Sequence, residues 1–294
     1  MDFLAPTTWA EALAAKAEHP DALPVAGGTD VMVEINFDHR RPPALLDLTR
    51  VPELREWATD GDRVRLGAGV TYARIIDQLG ATLPGLAMAA RTVGSPQIRN
   101  RGTVGGNLGA ASPAGDSHPP LLAADAVVEV ASAARGVRQV PVAEFYTGVK
   151  RNALAPDELI TAVLVPRAGG PQQFCKIGTR NAMVIAVTAF GFALHPQRRT
   201  VGTGIGSAAP TPRRADAAAE FLSGELEAAG LWDSRDELPE SLATEFGRKV
   251  RDAAAPIDDV RGSAAYRLHA LSVMARRAAT WAWNDYRNDY RRAA

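Results

Sequence analysis

The segment Gln97–Asn107 reads QIRNRGTVGGN, and Ser112–Asp116 reads SPAGD a few residues later. A shorter segment of the same kind, Ala26–Asp30 (AGGTD), follows an apolar run near the start of the chain. Glycines let backbone N–H groups approach an anion closely, and threonine hydroxyls and the Asn107 amide add donors that a buried phosphate oxygen needs. Together the segments predict a dinucleotide site in which Asp116 accepts from a hydroxyl or a ring N–H. Two tight turns without a ligand are the alternative.

The residues around these segments predict a first part that mixes α and β structure. Thr8 and Glu11 have the spacing of a capping box and begin a helix. Leu23–Ala26 is a short strand that ends at the glycine pair. Gly94–Gly115 has little periodicity, so we expect an irregular segment, and such segments in compact domains are often functional. Leu121–Val130 has the composition of a buried strand.

A turn-rich stretch, Ala168–Pro171, separates this part from the rest of the chain. After it, the predicted strands are Phe174–Ile177, Ala186–Leu194 and Thr200–Gly206, and the predicted helices are Ala215–Glu227, Leu242–Ala254 and Ala264–Tyr286. The predicted fold class is therefore α+β, with a domain over residues 1–167 and a smaller domain over 172–294 that holds a three-stranded antiparallel sheet and helices.

Composition excludes several functional classes. The 294 residues hold 33 Lys+Arg and 33 Asp+Glu, and a chain without a basic excess is a poor candidate for nucleic-acid binding. Cys175 is the only cysteine, so the chain cannot carry an intrachain disulfide, a Cys-based zinc site or an iron–sulfur cluster of its own. We expect no metal site, because the five histidines lack ligand spacing; only His118 lies near the predicted site. Without a signal peptide or a run of 18 apolar residues, a cytoplasmic protein with no membrane span is expected.

The full set of motifs resembles the medium subunits of the xanthine dehydrogenase family of molybdenum hydroxylases, which includes those of carbon monoxide dehydrogenases. The two glycine segments carry the resemblance. It extends to Asp157–Ile160, Lys176–Arg180 and Asp259–Arg267, in the same order along the chain.

The resemblance implies one bound FAD and, for residues 1–167, the two-part FAD-binding fold of the vanillyl-alcohol oxidase-like (PCMH) type. Carried over by motif position, the implied FAD contacts are Pro24, Val25, Ala26, Gly27, Gly28, Thr29, Asp30, Val31, Val93, Thr103, Val104, Gly105, Gly106, Asn107, Asp116, Ile160 and Lys176. No residue of this chain is implied as a catalytic acid or base.

The resemblance also implies partners. A large subunit would hold the molybdenum cofactor, and a small subunit would hold [2Fe–2S] clusters that pass electrons to the FAD. The FAD would pass them on to an external acceptor such as NAD, oxygen or a quinone, within a dimer of heterotrimers (a heterohexamer). The substrate stays open among purines, aldehydes, carbon monoxide and N-heterocycles. One departure is Val184, where many members have Asp; it leaves the acceptor and the flavin potential open.

Two other hypotheses are kept. A self-sufficient flavin oxidase of the vanillyl-alcohol oxidase type is one, and a non-catalytic nucleotide-binding protein is the other. Gly202–Gly206 is superficially like a nicotinamide fingerprint, but its third glycine is not at the required position and no helix pattern follows directly, so we expect a strand packed closely against another element. The Trp281–Arg292 tail is either an interface, since aromatic and arginine residues are enriched there, or the end of a helix.

Overall fold

A computed structural model describes the backbone of residues 1–293 and the side chains of residues 1–288. The chain begins with a three-stranded parallel sheet of order β1-β3-β2. Its elements are β1 (Asp2–Leu4), α1 (Trp9–Glu18), β2 (Leu23–Val25), α2 (Val31–Asn36) and β3 (Ala44–Asp47). Parallel strands need crossover connections, and α1 and α2 supply them. Thr8 begins α1 with the predicted capping box.

A five-stranded antiparallel sheet of order β4-β5-β10-β6-β7 follows. Its strands are β4 (Trp57–Asp60), β5 (Arg63–Gly67), β6 (Val127–Ser132), β7 (Gly136–Pro141) and β10 (Leu159–Pro166). The strands β8 (Tyr146–Gly148) and β9 (Arg151–Asn152) form a separate hairpin. The helices of this region are α3 (Tyr72–Gln78), α4 (Pro84–Thr92), α5 (Pro96–Arg101), α6 (Val104–Ala110), α7 (His118–Ala123) and α8 (Val142–Phe145). One apolar core joins both sheets, with Leu46, Ile75 and Val163 fully buried in it.

Two predictions for this region were wrong. Gly94–Gly115 is not irregular, because Ser95 and Thr103 cap α5 and α6, and Pro96 occupies the first turn of α5 where a missing N–H costs nothing. The glycine-rich composition concealed both cap signals. Leu121–Val130 is not one strand, since its first residues end α7 and β6 starts only at Val127.

The C-terminal part confirms the predicted α+β domain. Its antiparallel sheet has the order β11-β12-β13, with β11 (Gln172–Ile177), β12 (Thr188–His195) and β13 (Thr200–Gly206). Its helices are α9 (Asp216–Ala228), α10 (Leu231–Ser234), α11 (Glu240–Asp252) and α12 (Ala264–Ala293). A second apolar core lies between this sheet and the helices.

Glycines of β12 and β13 bring the two parts into backbone contact. A Cβ at Gly204 would lie 2.8 Å from the carbonyl carbon of Pro119 in α7, and one at Gly202 would lie 2.9 Å from that of Ala123. Only glycine fits at such positions. The prediction that Gly202–Gly206 is a strand packed closely against another element is confirmed.

The aromatic end of α12 is largely internal. Trp283 is buried against Trp232 with ring centroids 5.4 Å apart, and Tyr286 packs on both rings. Trp281 is exposed, and Tyr290 and Arg292 lie outside the residues whose side chains are described. Among the described helices, none combines the length and apolar character that crossing a bilayer requires.

Candidate functional site

The two glycine segments form one wall, although 66 residues separate them along the chain. A Cβ at Gly27 would lie 2.5 Å from the carbonyl carbon of Arg101 and 2.9 Å from the nitrogen of Gly102. One at Gly106 would lie 3.9 Å from the Cβ of Ala26. Gly28 has φ +73°, a conformation that favours glycine, and it turns the chain from β2 into α2.

The first segment offers unused hydrogen-bond donors. Among the described residues, the backbone N–H groups of Gly27, Gly28 and Thr29 have no acceptor, and neither does the Thr29 hydroxyl. These residues line a cavity of about 360 Å³ at the end of the parallel sheet. Adjacent free N–H groups around one concavity are suited to an anion such as a phosphate.

The same cavity contains residues that the sequence analysis missed. The rest of its lining consists of Phe3, Met32, Leu45, Asp47, Thr49 and Arg101. Asp47 accepts from the backbone of Thr49 at 2.9 Å, whereas the side chain of Arg101 has neither an ion pair nor a hydrogen bond within the described part of the chain. The position of Arg101 within the glycine-rich segment was the sequence signal that could have identified it as a site residue. No local pattern marks Asp47, which lies at the end of β3.

The second segment differs from the first, because most of the N–H groups after Thr103 are already used within the protein. The backbone N–H groups of residues 104–107 all donate within the protein, over 2.9–3.4 Å. Val104 is fully buried, and a Cβ at Gly105 would lie 2.5 Å from the Cβ of Ala68. Thr103 caps α6 by accepting from the N–H of Gly106. This segment therefore anchors the wall. Its donors without an acceptor among the described residues include the backbone N–H of Thr103 and the side-chain amide of Asn107.

Asp116 and Lys176 join the two domains beside this wall. Lys176 Nζ donates to Asp116 Oδ2 at 2.6 Å and to the carbonyl of Thr92 at 3.2 Å, and both side chains are buried. Burial raises the pKa of the Asp116 carboxyl, and the Lys176 ammonium opposes that rise. Asp116 Oδ1 is buried without a partner. A buried acceptor of this kind is costly unless a donor reaches it, so Oδ1 is placed to accept from a ligand N–H or hydroxyl.

His118 lies directly behind Asp116 and is fully enclosed. Its Nδ1 is 2.7 Å from the hydroxyl of Tyr146, and its Nε2 has no partner. Burial lowers the pKa of the imidazole to about 3, so the ring is neutral at ordinary pH. A Cβ at Gly115 would lie 2.6 Å from the ring carbon Cδ2, which shows how tightly the imidazole supports the chain before Asp116.

The remaining predicted contacts surround the same region. Pro24 and Val25 end β2, Val31 begins α2, and Asp30 is exposed between them. Val93 follows α4, next to the Thr92 carbonyl that Lys176 binds. Ile160 of β10 touches α6, since its Cδ1 is 3.8 Å from the position of a Cβ at Gly109.

The segment that follows Lys176 carries the unusual Val184. Its side chain packs on Gly178, with Cγ2 3.2 Å from the position of a Cβ there, and Ile185 is half exposed. Arg180 holds the turn by donating to the carbonyls of Ala182 and Met183. An apolar side chain therefore occupies the place of the usual carboxylate.

Cys175 takes no part in this wall, because it packs against the C-terminal core. Burial raises the pKa of its thiol to about 11, so it is unreactive at ordinary pH. In the portion of the chain that the structure describes, no group of three His, Cys, Asp or Glu side chains is arranged to hold a metal ion.

Comparison with known proteins agrees with this geometry. Residues 1–168 match the family model of the FAD-binding domain in molybdopterin dehydrogenase, and residues 173–282 match that of the CO dehydrogenase flavoprotein C-terminal domain. The predicted FAD-binding fold is confirmed by the first match together with the structural likeness below.

Among similar proteins, the putative xanthine dehydrogenase FAD-binding subunit of Escherichia coli (strain K12) is 32% identical over 92% of this chain and 91% of its own. The nicotinate dehydrogenase FAD-subunit of Eubacterium barkeri is 36% identical over 66% of this chain and 68% of its own. A chain in the solved structure of carbon monoxide dehydrogenase from Hydrogenophaga pseudoflava superposes with a TM-score of 0.88 at 27% identity, over 97% of this chain and 98% of that one.

Proposed function

The chain belongs to the family of FAD-binding subunits of molybdopterin dehydrogenases and is an oxidoreductase flavoprotein subunit; from that premise we propose the route of its electrons. The subunit receives them from [2Fe–2S] clusters of a small partner subunit, while a large partner holds the molybdenum cofactor and oxidises the substrate. It delivers them to an external acceptor. When bound, FAD supplies the redox chemistry, and the protein contributes position and electrostatics.

The unused N–H groups of Gly27, Gly28 and Thr29 carry the proposal. Hydrogen bonds to a charged group contribute about 1.5–3 kcal/mol each, so three of them hold a pyrophosphate without a lysine. The unpaired Arg101 lines the same cavity and adds a positive charge. Asp116 Oδ1, which is buried without a hydrogen-bond partner, is a second and independent observation in favour of FAD. The flavin ring and the ribityl chain both offer hydrogen-bond donors for this oxygen.

The contacts predicted from the motifs fall into two groups under this proposal. Pro24 to Val31, Val93, Thr103, Asn107, Asp116, Ile160 and Lys176 touch the FAD. Val104, Gly105 and Gly106 hold the second segment in place through their internal hydrogen bonds. The FAD-binding domain extends over residues 1–167, and the domain over 172–294 contributes Lys176.

The single cysteine is consistent with partner subunits that hold the clusters. Cys175 cannot hold a cluster, so electrons reach the flavin from a neighbouring subunit or directly from a substrate. We propose a cytoplasmic dimer of heterotrimers without nucleic-acid partners. The family assignment favours this arrangement over a self-sufficient flavin oxidase, which needs its own substrate pocket and base.

The cofactor is tested by an ultraviolet–visible spectrum of the purified full chain, before and after FAD is added. A flavin spectrum with one FAD per chain is expected. A colourless chain that takes up no FAD contradicts the proposal.

The assembly is tested by co-purification from the native host, with metal analysis. Two partner chains with molybdenum and iron are expected. If the chain alone oxidises a substrate, the self-sufficient oxidase is correct instead; if only dye reduction by NADH is seen, that alternative fails.

A further inference from the structure

Hydrogen bonds join the side chains of Tyr72 and Ser117 to that of Asn107 in the second glycine segment. Tyr72, at the start of α3, is 3% exposed, and Ser117, just before α7, is 1% exposed. The Tyr72 hydroxyl donates to Ser117 Oγ at 3.4 Å, and Ser117 Oγ donates to Asn107 Oδ1 at 2.5 Å. The proposed function assigns no role to Tyr72 or Ser117.

The direction of these hydrogen bonds is fixed by the number of protons. Burial raises the pKa of the Tyr72 hydroxyl, so it stays protonated and must donate its one hydrogen. Ser117 Oγ is its only acceptor within the described residues. Ser117 Oγ accepts from Tyr72, and Asn107 is the only acceptor for its own hydrogen within the described residues, so Asn107 must present its carbonyl oxygen. The carboxamide of Asn107 is thereby oriented with Oδ1 toward the interior.

The other end of this carboxamide is the free donor. Asn107 Nδ2 has no hydrogen-bond partner within the described residues and is not enclosed by protein. The preceding residue, Gly106, faces Ala26 of the first segment. A reversed carboxamide would place Oδ1 at the unpartnered position instead, and an oxygen cannot donate to an oxygen-rich ligand.

We propose that Tyr72 and Ser117 are positioning residues that orient the Asn107 carboxamide, so that Nδ2 donates to an oxygen of the FAD. This inference rests on the proposed function, since it takes FAD as the ligand of the glycine wall. Without the Ser117 hydroxyl, the carboxamide rotates freely and its donor is presented for only part of the time.

The test is a double-mutant cycle on the full chain, with the FAD dissociation constant measured from flavin fluorescence. Ser117→Ala should raise the dissociation constant about 2-fold to 10-fold, the equivalent of one neutral hydrogen bond. Tyr72→Phe should raise it less, because its hydrogen bond is long. Asn107→Ala should have the largest effect, and adding Ser117→Ala to it should change nothing more. Residues that act independently multiply their losses instead.

The control is Tyr146→Phe, which also removes a buried phenol hydroxyl but one that bonds His118 rather than Ser117. It should leave the FAD dissociation constant unchanged. Urea unfolding of each variant shows whether the fold persists; if Ser117→Ala does not fold, Tyr72→Phe alone decides, since it deletes a single oxygen.

The outcomes separate the two proposals. If Asn107→Ala binds FAD as the wild type does, the assignment of Asn107 to the site is wrong. If Asn107→Ala weakens binding but Tyr72→Phe and Ser117→Ala do not, or if the losses multiply, the orientation inference alone is overturned.

Discussion

Gly27→Ala perturbs the point where the two glycine segments touch. The added Cβ would lie 2.5 Å from the carbonyl carbon of Arg101 and closer still to its oxygen. Carbon atoms in contact lie about 3.5–4.0 Å apart, so the segments must separate by about 1 Å. Overpacking of this kind costs about 1–3 kcal/mol. The backbone of Arg101 is not a flexible group that can move aside cheaply.

This strain should appear in FAD binding. If the separated segments must return to their places around the cofactor, the same 1–3 kcal/mol weakens binding about 5-fold to 150-fold. The assay is FAD titration of the apoprotein by flavin fluorescence, beside urea unfolding. Gly224→Ala is the matched control, because no atom lies within 4 Å of its added Cβ and it lies inside α9. It should stabilise the chain by about 0.5–1 kcal/mol and leave FAD binding unchanged. Wild-type affinity and stability in Gly27→Ala would refute the packing of the two segments described above.

Three further predictions concern charged and titratable groups. Arg101→Ala should raise the FAD dissociation constant at least about tenfold, with unfolding changed by less than about 0.5 kcal/mol; equal affinity in a fluorescence titration would remove Arg101 from the site. Lys176→Met should destabilise the chain by about 3–5 kcal/mol in urea, because it leaves Asp116 buried and unpaired; adding Asp116→Asn should restore most of this, and a loss that persists would contradict the pairing. Burial lowers the pKa of His118 to about 3 from its ordinary 6.5, so between these values the unfolded chain binds a proton that the folded chain does not. The free energy of unfolding present above pH 6.5 should therefore fall by about 2 kcal/mol by pH 5. His118→Asn should flatten that pH dependence and leave a smaller part from His195, whose pKa burial also lowers; an unchanged slope would assign the proton elsewhere.

Local signals explain which elements could be predicted from the sequence. The capping box of Thr8 and the strands of the C-terminal sheet depend on residues a few positions apart, and they appear in the structure as predicted. The cap signals at Ser95 and Thr103 were also local, but glycine-rich composition concealed them. The length of α5 and α6, six and seven residues, left no periodicity to detect.

The parts of the site that could not be predicted depend on contacts between distant residues. Arg101 and Asp47 line one cavity only because β3 ends beside the first glycine segment. Asp116 and Lys176 were each expected near the cofactor, yet their ion pair spans 60 positions and follows from the docking of two domains. Whether a backbone N–H is free or already hydrogen-bonded is likewise set by tertiary structure. The two glycine segments differ in this respect although their sequences are alike.

The glycines of β12 and β13 that contact α7 have a consequence for biosynthesis. Lys176 lies on β11, which pairs with β12, and α7 begins two residues after Asp116. The contact of these glycines with α7 therefore holds Lys176 against Asp116. The N-terminal residues leave the ribosome first and can form their sheets. At that stage the wall formed by the two glycine segments still lacks Lys176 beside it, and α7 still lacks its contact with β13. Cofactor capture can therefore be completed only after about two thirds of the chain has been translated. A substitution such as Gly204→Val, far from the cavity, should then appear in cells as a maturation defect, with chain made but flavin not retained.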